Sequence, residues 1–129
     1  MINSDAAVGL SGFLEWSQPV IYDLLVESYE ARLEPGPLPR GLARLHARLW
    51  RALMAGDMPA YAVLRQNLVE ALDECRLDIA DLADADARIL AELLEIVMSR
   101  YQRSMRTAKH YHLALIALAG RLAPPLRAA

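Results

Sequence analysis

Apolar side chains recur at three- and four-residue intervals along most of this chain, the spacing that places them on one face of an α-helix. The clearest stripes lie after residue 18, and each predicts one helix that turns its apolar face towards a core. Their members are Val20, Tyr22, Leu24, Leu25, Ser28, Tyr29 and Leu33; Leu42, Leu45, His46, Leu49, Trp50 and Leu53; Tyr61, Leu64, Leu68, Leu72 and Cys75; and Ile89, Leu90, Leu93, Leu94, Val97, Met98 and Tyr101.

Prolines, glycines and acids indicate where these helices begin and end. Pro19 suits the first turn of a helix that runs to Leu33, because the N–H that proline lacks is not needed there. Three prolines and two glycines in residues 34–41 predict a connecting loop. Gly56 ends the next helix, and Asp57 can cap the one after it.

Acids and prolines also indicate the helix boundaries in the C-terminal third of the chain. The acids in residues 77–84 suit N-caps of a long helix that follows them. The pattern resets at residues 104–107, and a last helix runs from about residue 108 to Leu122, because Pro124 and Pro125 cannot continue it.

Composition narrows the fold class. Hydrophobic residues make up 55% of the chain and only one is Phe, and β-branched residues are sparse, so helices are favoured over strands. We expect an all-α fold of about five to seven helices around one core. The expected parts are a single domain over residues 1–129, an N-terminal extension over 1–18, the loop over 34–41 and a C-terminal tail over 123–129.

Charge and cysteine content limit the partners and the compartment. The formal net charge is -2, so no global field attracts nucleic acid or anionic lipid. Cys75 is the single cysteine, which excludes an intramolecular disulfide and fits a reducing compartment. No apolar run reaches 18 residues and the N-terminus lacks the pattern of a signal peptide. We therefore expect a cytoplasmic protein that does not bind membranes.

The histidines and acids do not form a metal site. His110 and His112 point about 200° apart on a helix, so they cannot share one metal as an i, i+4 pair can. His46 lies on an apolar stripe, where a core histidine is expected. The acids from Asp78 to Asp86 lack the glycine and terminal glutamate of a calcium loop, and helix capping explains them better.

Four cations follow one another at three-residue spacing: Arg100, Arg103, Arg106 and Lys109. A stripe of this kind could bind phosphate or nucleic acid. In a chain with net negative charge we favour the alternative, a solvated face whose cations complement the C-terminus of a helix. Nucleic acid is therefore not an expected partner.

No arrangement of residues indicates catalysis. Helical phosphotransfer domains place an exposed histidine beside a lysine and a following glycine, and the surroundings of His46 and His110 do not supply that pattern. Cys75 has no histidine near it in sequence, and no serine or carboxylate is paired with a recognisable base. We expect the protein not to be an enzyme.

The order of segments resembles the middle of a globin-coupled sensor domain. The residues that carry the resemblance are His46-Ala-Arg-Leu-Trp50, then Leu53-Met-Ala-Gly-Asp57-Met-Pro-Ala-Tyr61, then Leu68-Val-Glu-Ala-Leu72-Asp-Glu-Cys-Arg-Leu77. That family has a His-Trp or similar pair, an acidic turn with a tyrosine, an Ile-Gly pair, a haem-ligating histidine and a leucine five residues after it. Here Leu68 and Val69 fall at the Ile-Gly pair, Leu77 at the trailing leucine, and Leu72 at the ligand.

The resemblance implies a globin-like helical sandwich without haem. Haem iron needs an axial donor, and Leu72 offers none, so we expect no cofactor. Tyr29 corresponds to a tyrosine that often faces bound oxygen in the family, and Tyr29 or His46 could fix a polar head group of a ligand. The implied pocket, in the vacated haem cavity, is lined by Tyr29, His46, Leu49, Trp50, Leu53, Leu68 and Leu72. The alternative is that large side chains fill this space.

The resemblance also implies a function. The expected protein senses or relays a signal as a homodimer in contact with a signalling partner, and an apolar small molecule could occupy the pocket. The last two helices correspond to the pair through which such sensors dimerise, and the expected interface residues are Val97, Met98, Tyr101, Leu115, Leu118 and Leu122. The alternatives are a helical phosphotransfer or protein-interaction domain of a bacterial signalling pathway, and a DNA-associated helical regulator.

Overall fold

The structure of the protein, a computed structural model, describes residues 12–13, 15–100 and 104–122, with the backbone alone for 118–122. These residues form five long helices: α1 (Gln18–Glu30), α2 (Pro37–Ala55), α3 (Met58–Glu74), α4 (Ile79–Arg100) and α5 (Met105–Leu122). No strand occurs among the described residues, so the all-α prediction is confirmed. Within this part of the chain, no helix is long and apolar enough to cross a membrane.

The helices pack in a consistent order around one core. α1 lies against α2 and α4, α2 packs on α3, and α4 packs on α5. Most described members of the apolar stripes face this core, although Met98 is exposed. The core contains the fully buried side chains Ile21, Leu25, Leu49, Leu53, Leu68, Ile89, Leu93 and Leu115. Burying such stripes against one another is the main source of stability in a helical domain.

The turn between α2 and α3 is built as the sequence predicts. Gly56 adopts a left-handed conformation with φ of 74°, which glycine adopts without steric cost. Its N–H donates to the carbonyl of Leu53, and the N–H of Asp57 donates to the carbonyl of Ala52 at 3.0 Å. The Asp57 side chain then accepts a hydrogen bond from the N–H of Ala60 at 3.2 Å, so Asp57 caps α3.

The turn between α3 and α4 is a Schellman motif. The N–H of Leu77 donates to the carbonyl of Leu72 at 2.8 Å, and the N–H of Arg76 donates to the carbonyl of Asp73 at 3.0 Å. In this motif the residues at the positions of Leu72 and Leu77 usually make a hydrophobic contact. The leucine five residues after Leu72, read above as a family feature, therefore has a local structural role. Arg76 occupies the left-handed position with φ of 63°.

Several predicted helix boundaries are wrong by a few residues. α1 ends at Glu30 and not at Leu33, and α5 begins at Met105 and not at about residue 108. α2 begins at Pro37, so the loop after α1 is shorter than residues 34–41. Prolines are tolerated in a first turn because the N–H groups there have no helical acceptor. α4 begins at Ile79, so Asp81 and Asp84 lie inside the helix that they were expected to precede. Across its first turn the N–H of Asp78 donates to a carboxylate oxygen of Asp81 at 2.9 Å, and the N–H of Asp81 donates to a carboxylate oxygen of Asp78 at 3.2 Å.

The N-terminal region is part of the core as far as it is described. Phe13 is 4% exposed and Ser17 is fully buried, although both fall in the predicted extension. The ring of Phe13 stacks on that of Tyr111 in α5, with centroids 5.9 Å apart. Residues 1–11 and the predicted tail at 123–129 lie outside the described residues.

A buried polar network as candidate functional site

Four polar or aromatic side chains from three helices form a hydrogen-bonded network inside the core. The hydroxyl of Tyr29 (α1) lies 2.7 Å from Nδ1 of His46 (α2), and Nε2 of His46 lies 2.7 Å from Oδ1 of Asp86 (α4). The indole N–H of Trp50 (α2) donates to the same Asp86 oxygen at 2.8 Å. His46 and Trp50 are 0% exposed, Tyr29 is 1% exposed and Asp86 is 6% exposed.

Helical spacing explains why these side chains meet. His46 and Trp50 are four residues apart, so they lie on the same face of α2. Asp86 lies four residues after Leu82 and three before Ile89, both of which are buried. It therefore occupies a core position on α4 that an apolar residue would otherwise take.

A neutral His46 and a carboxylate at Asp86 together satisfy these hydrogen bonds. An indole N–H can only donate, so Oδ1 of Asp86 is an acceptor and suits a carboxylate. Donation from Nε2–H of a neutral His46 to this oxygen leaves Nδ1 free to accept from the Tyr29 hydroxyl. This tautomer, assigned from the hydrogen bonds, satisfies all three contacts and shares the carboxylate charge between two donors.

Tyr29 is held in its protonated form. Burial raises the pKa of the Tyr29 hydroxyl well above its ordinary value, and the negative charges of Asp86 and Asp81 raise it further, with a partial offset from Arg32. A hydroxyl with so high a pKa donates a hydrogen bond but is a poor nucleophile. The network therefore resembles a catalytic relay in its connectivity while offering no activated group to a substrate.

A second polar pair lies near the network on α3. Burial raises the pKa of Tyr61, with a smaller contribution from the charge of Asp86, while Arg65 one turn later opposes the shift. Arg65 shares the core-facing side of α3 with Tyr61 and Leu68. Its Nη2 is buried and has no hydrogen-bond partner.

All seven predicted pocket residues are buried, each at most 1% exposed. Tyr29, His46 and Trp50 belong to the network, and the four leucines belong to the surrounding apolar core. Both ring nitrogens of His46 are already bonded, so a ligand head group could reach them only by displacing Tyr29 or Asp86. Tyr29 likewise uses its hydroxyl within the network.

Two clefts lie at the edge of this core. One, of about 300 Å³, includes Leu72 and is lined by Val69, Glu70, Leu72, Asp73, Leu77, Asp78 and Ile79. The other, of about 330 Å³, is lined by Trp16, Glu92, Glu95, Ile96, Ser99 and Arg100. In the second cleft the guanidinium of Arg100 lies 4.6 Å from the centroid of the Trp16 ring, a cation–π distance.

The residues of the core do not fit a haem iron. Leu72 has no donor atom, and the two nitrogens of His46 are engaged by Tyr29 and Asp86. Cys75, the nearest sulfur in sequence, is the C-cap residue of α3 and is half-buried.

The predicted dimer residues differ in how far they are exposed. Val97 and Leu115 are fully buried inside a single copy, whereas Met98 is 46% exposed. Tyr101 and the side chains of Leu118 and Leu122 lie outside the described residues. The exposed apolar side chains of α5 are on its other face: Met105, Leu113 and Ile116, at 64%, 58% and 49% exposure.

The cation stripe is divided between two helices. Arg100 ends α4, Arg106 and Lys109 lie in the first turns of α5, and Arg103 is outside the described residues. His110 is exposed and His112 half-buried on α5. No described group of three His, Cys, Asp or Glu side chains is placed to hold a metal ion.

Asp86 is the one member of the candidate site that sequence reasoning missed. It was grouped with the acids of the α3–α4 turn, which in fact cap α4 or pair with Arg32. The signal for Asp86 was its position between Leu82 and Ile89, on the apolar stripe of a helix. A charge on such a stripe requires a buried partner, and His46 was the candidate.

Comparisons with known proteins identify no relative: no family model, no curated protein and no solved structure matches this chain.

Proposed function

We propose that this chain is a non-enzymatic regulatory domain that senses or relays a signal through contacts with other protein chains. The observation that carries the proposal is the closed network of Tyr29, His46, Asp86 and Trp50. Its members hydrogen-bond to one another and are shielded from solvent. A set of reactive groups arranged in this way stabilises and specifies the fold, since no substrate can reach it.

The resemblance to globin-coupled sensors supports a haem-free variant of that fold, in the cytoplasm. Leu72 stands at the position expected for the haem-ligating histidine, and both ring nitrogens of His46 are hydrogen-bonded within the network. An apolar small molecule, if it is the signal, would approach Leu72 from the surface cleft of about 300 Å³, because buried side chains hold the inner pocket positions.

Protein contacts through α4 and α5 are the proposed output. Met98, Met105, Leu113 and Ile116 leave apolar surface exposed on these two helices, and exposed apolar patches are typical of sites where another chain binds. We propose a homodimer that contacts a signalling partner.

Two measurements on the purified protein test the proposal. Haem is added in equal amount and the absorption is recorded; we expect no stoichiometric Soret band, and a stable one would overturn the haem-free assignment. Sedimentation velocity at micromolar concentrations is expected to give twice the 14.3 kDa mass of the chain. A strictly monomeric mass up to about 100 µM, which corresponds to a free energy of dimerisation weaker than about -5.5 kcal/mol, would overturn the dimer.

The phosphotransfer alternative is best served by His110, which is more exposed than the other two described histidines. His46 is fully buried with both nitrogens bonded, whereas His110 is exposed on α5 directly after Lys109. Phosphoramidate reacts with accessible histidines in general, so the rate of labelling is the quantity that separates the two functions. If the regulatory proposal is correct, the wild-type chain should be labelled no faster than a histidine in a short unstructured peptide. An acid-labile label that forms much faster and is lost in His110→Ala would favour the relay.

A further inference from the structure

The charges of this chain are segregated along its length. All 16 acidic residues precede residue 96, where only eight of the 14 lysines and arginines lie. The other six cations follow residue 96 with no acid among them. The near-neutral total therefore conceals an acidic body, formed by α1 to most of α4, and a basic C-terminal part that contains α5.

The acidic body presents an apolar cleft. Val69, Leu72, Leu77 and Ile79 provide apolar lining in a space of about 300 Å³, and the carboxylates of Glu70, Asp73 and Asp78 line it beside them. Residues 70–78 hold four acids and one cation, Arg76. Ile79 is 38% exposed, so part of this apolar surface contacts water in a single copy. The cleft therefore suits an apolar group that carries positive charge.

The outer face of α5 has that chemistry. Met105, Lys109 and Ile116 fall within about 40° of one another around the helix, and Leu113 and Arg106 extend the same face. Met105, Leu113 and Ile116 are 64%, 58% and 49% exposed. The opposite face of α5, with Ala108, Tyr111 and Leu115, is buried in the chain itself. The outer face is thus apolar and basic, and no other described residue of the same copy buries it.

We infer that the outer face of α5 docks into the acidic cleft of a second copy of this chain, forming a two-fold symmetric dimer. The inference rests on the proposed action through protein contacts and names the surfaces that carry it. A second copy is the occupant because the chain itself supplies both complementary surfaces. In a two-fold dimer each copy offers one cleft and one helix, so the same contact forms twice and the assembly closes.

Charge reversal on each surface tests this pairing. The cleft variant carries Glu70→Lys and Asp73→Lys, and the helix variant carries Arg106→Glu and Lys109→Glu. Lysine near the C-terminus of α3 and glutamate near the N-terminus of α5 both complement the helix dipole, so both variants should fold. The matched control is Asp23→Lys with Glu34→Lys, which changes net charge as the cleft variant does at exposed positions elsewhere.

Sedimentation gives the dimer dissociation constant of each protein. We expect each reversal variant to weaken dimerisation at least about tenfold relative to wild type and to the control. An equimolar mixture of the two variants should restore a 1:1 heterodimer, because both contacts then join opposite charges. Raising the salt from 0.1 to 1 M should weaken the wild-type dimer by a similar factor, since exposed charges are screened.

The contrary outcomes are distinct. A dimer that neither variant weakens, or a mixture that forms no heterodimer, would overturn this interface while leaving the proposed function in place. A wild-type protein that stays monomeric would overturn both this interface and the proposed function. Salt-dependent binding of duplex DNA by wild type and by the cleft variant, lost in the helix variant and without any dimer, would assign α5 to nucleic acid instead.

Discussion

A single carboxylate organises the interior at the residue scale. Asp86 holds His46 and Trp50 through one oxygen, and His46 extends the connection to Tyr29. Taking a carboxylate out of water is costly unless donors replace its hydration, and here two donors do so. The same arrangement makes the loss of Asp86 severe, because its partners are also buried.

Asp86→Ala should lower the free energy of unfolding by about 3–5 kcal/mol, since it leaves the Nε2–H of His46 and the N–H of Trp50 buried without an acceptor. Urea denaturation followed by circular dichroism measures the change. The matched control is Asp84→Ala in the same helix, where the side chain is 70% exposed and pairs with Arg32 at 3.3 Å. It should cost no more than about 1 kcal/mol. Equal losses in the two variants would argue against the network.

Tyr29→Phe should flatten the loss of stability at high pH. The pKa of Tyr29 in the folded chain lies above its ordinary value of 10.0. The folded state therefore keeps a proton that the unfolded state releases, so stability that is complete below pH 10 falls as the pH rises above it. Without the hydroxyl this contribution disappears, and urea midpoints should fall less steeply above pH 10.

Trp50→Phe is the control for that experiment. It removes one hydrogen bond of the network but keeps the Tyr29 hydroxyl, so its midpoint should fall with pH as steeply as that of wild type. If Tyr29→Phe were as pH-sensitive as Trp50→Phe, the alkaline loss would have to come from other groups.

Sequence reasoning named three of the four residues of the network. The resemblance to globin-coupled sensors implies Tyr29, His46 and Trp50 as pocket residues, and the apolar stripe of its helix predicts a core position for His46. Which residues hydrogen-bond to one another was not predictable, because it depends on how far apart α1, α2 and α4 lie in space. Asp86 was missed because a run of acids before a helix usually caps it, and three of its neighbours do serve the turn and the surface.

At the element scale, two turns with the same geometry use different residues. Gly56 and Arg76 both occupy the left-handed position after a helix, but only glycine does so without strain. The boundary at Gly56 was predictable for that reason. The boundary after α3 was harder to place, since an arginine carries no local signal for a left-handed conformation.

Arg76→Gly should stabilise the protein. The left-handed conformation costs an L-residue roughly 1–2 kcal/mol, and the greater freedom of glycine in the unfolded chain offsets about 0.4–1 kcal/mol. We expect a net gain of about 0.5 kcal/mol in thermal or urea denaturation. Arg76→Ala removes the same charge but keeps the strain, so it should bring no gain. A glycine variant that is no more stable than the alanine variant would contradict this account.

At the scale of the whole molecule, α5 is attached differently from the other helices. Ala108, Tyr111 and Leu115 of α5 belong to the common core, but α5 packs mainly on α4 and meets the N-terminal region through Phe13 and Tyr111. Regions with fewer buried contacts open at lower free energy than the core. We therefore expect α5 to separate from the rest of the described chain at a lower free energy than the other helices.

Phe13→Ala should loosen α5 selectively. Losing a buried phenylalanine costs about 3–5 kcal/mol, and here the lost contacts include the ring of Tyr111. Hydrogen exchange should show faster amide exchange in α5 than in α2 of the wild type, with a further increase in α5 of the variant. Trp16→Ala, at a ring that is 49% exposed, is the control and should change α5 less. Uniform acceleration in all helices would contradict separate docking.

The two tryptophans of the chain occupy opposite surroundings. Trp50 is fully buried and its N–H donates to the carboxylate of Asp86, whereas Trp16 is 49% exposed and its ring lies against the guanidinium of Arg100. The protein therefore contains two optical reporters, one for the interior and one for the region where α4 ends. Iodide or acrylamide would quench Trp16 emission first, so light emitted by Trp50 alone can follow changes in the core without an added label.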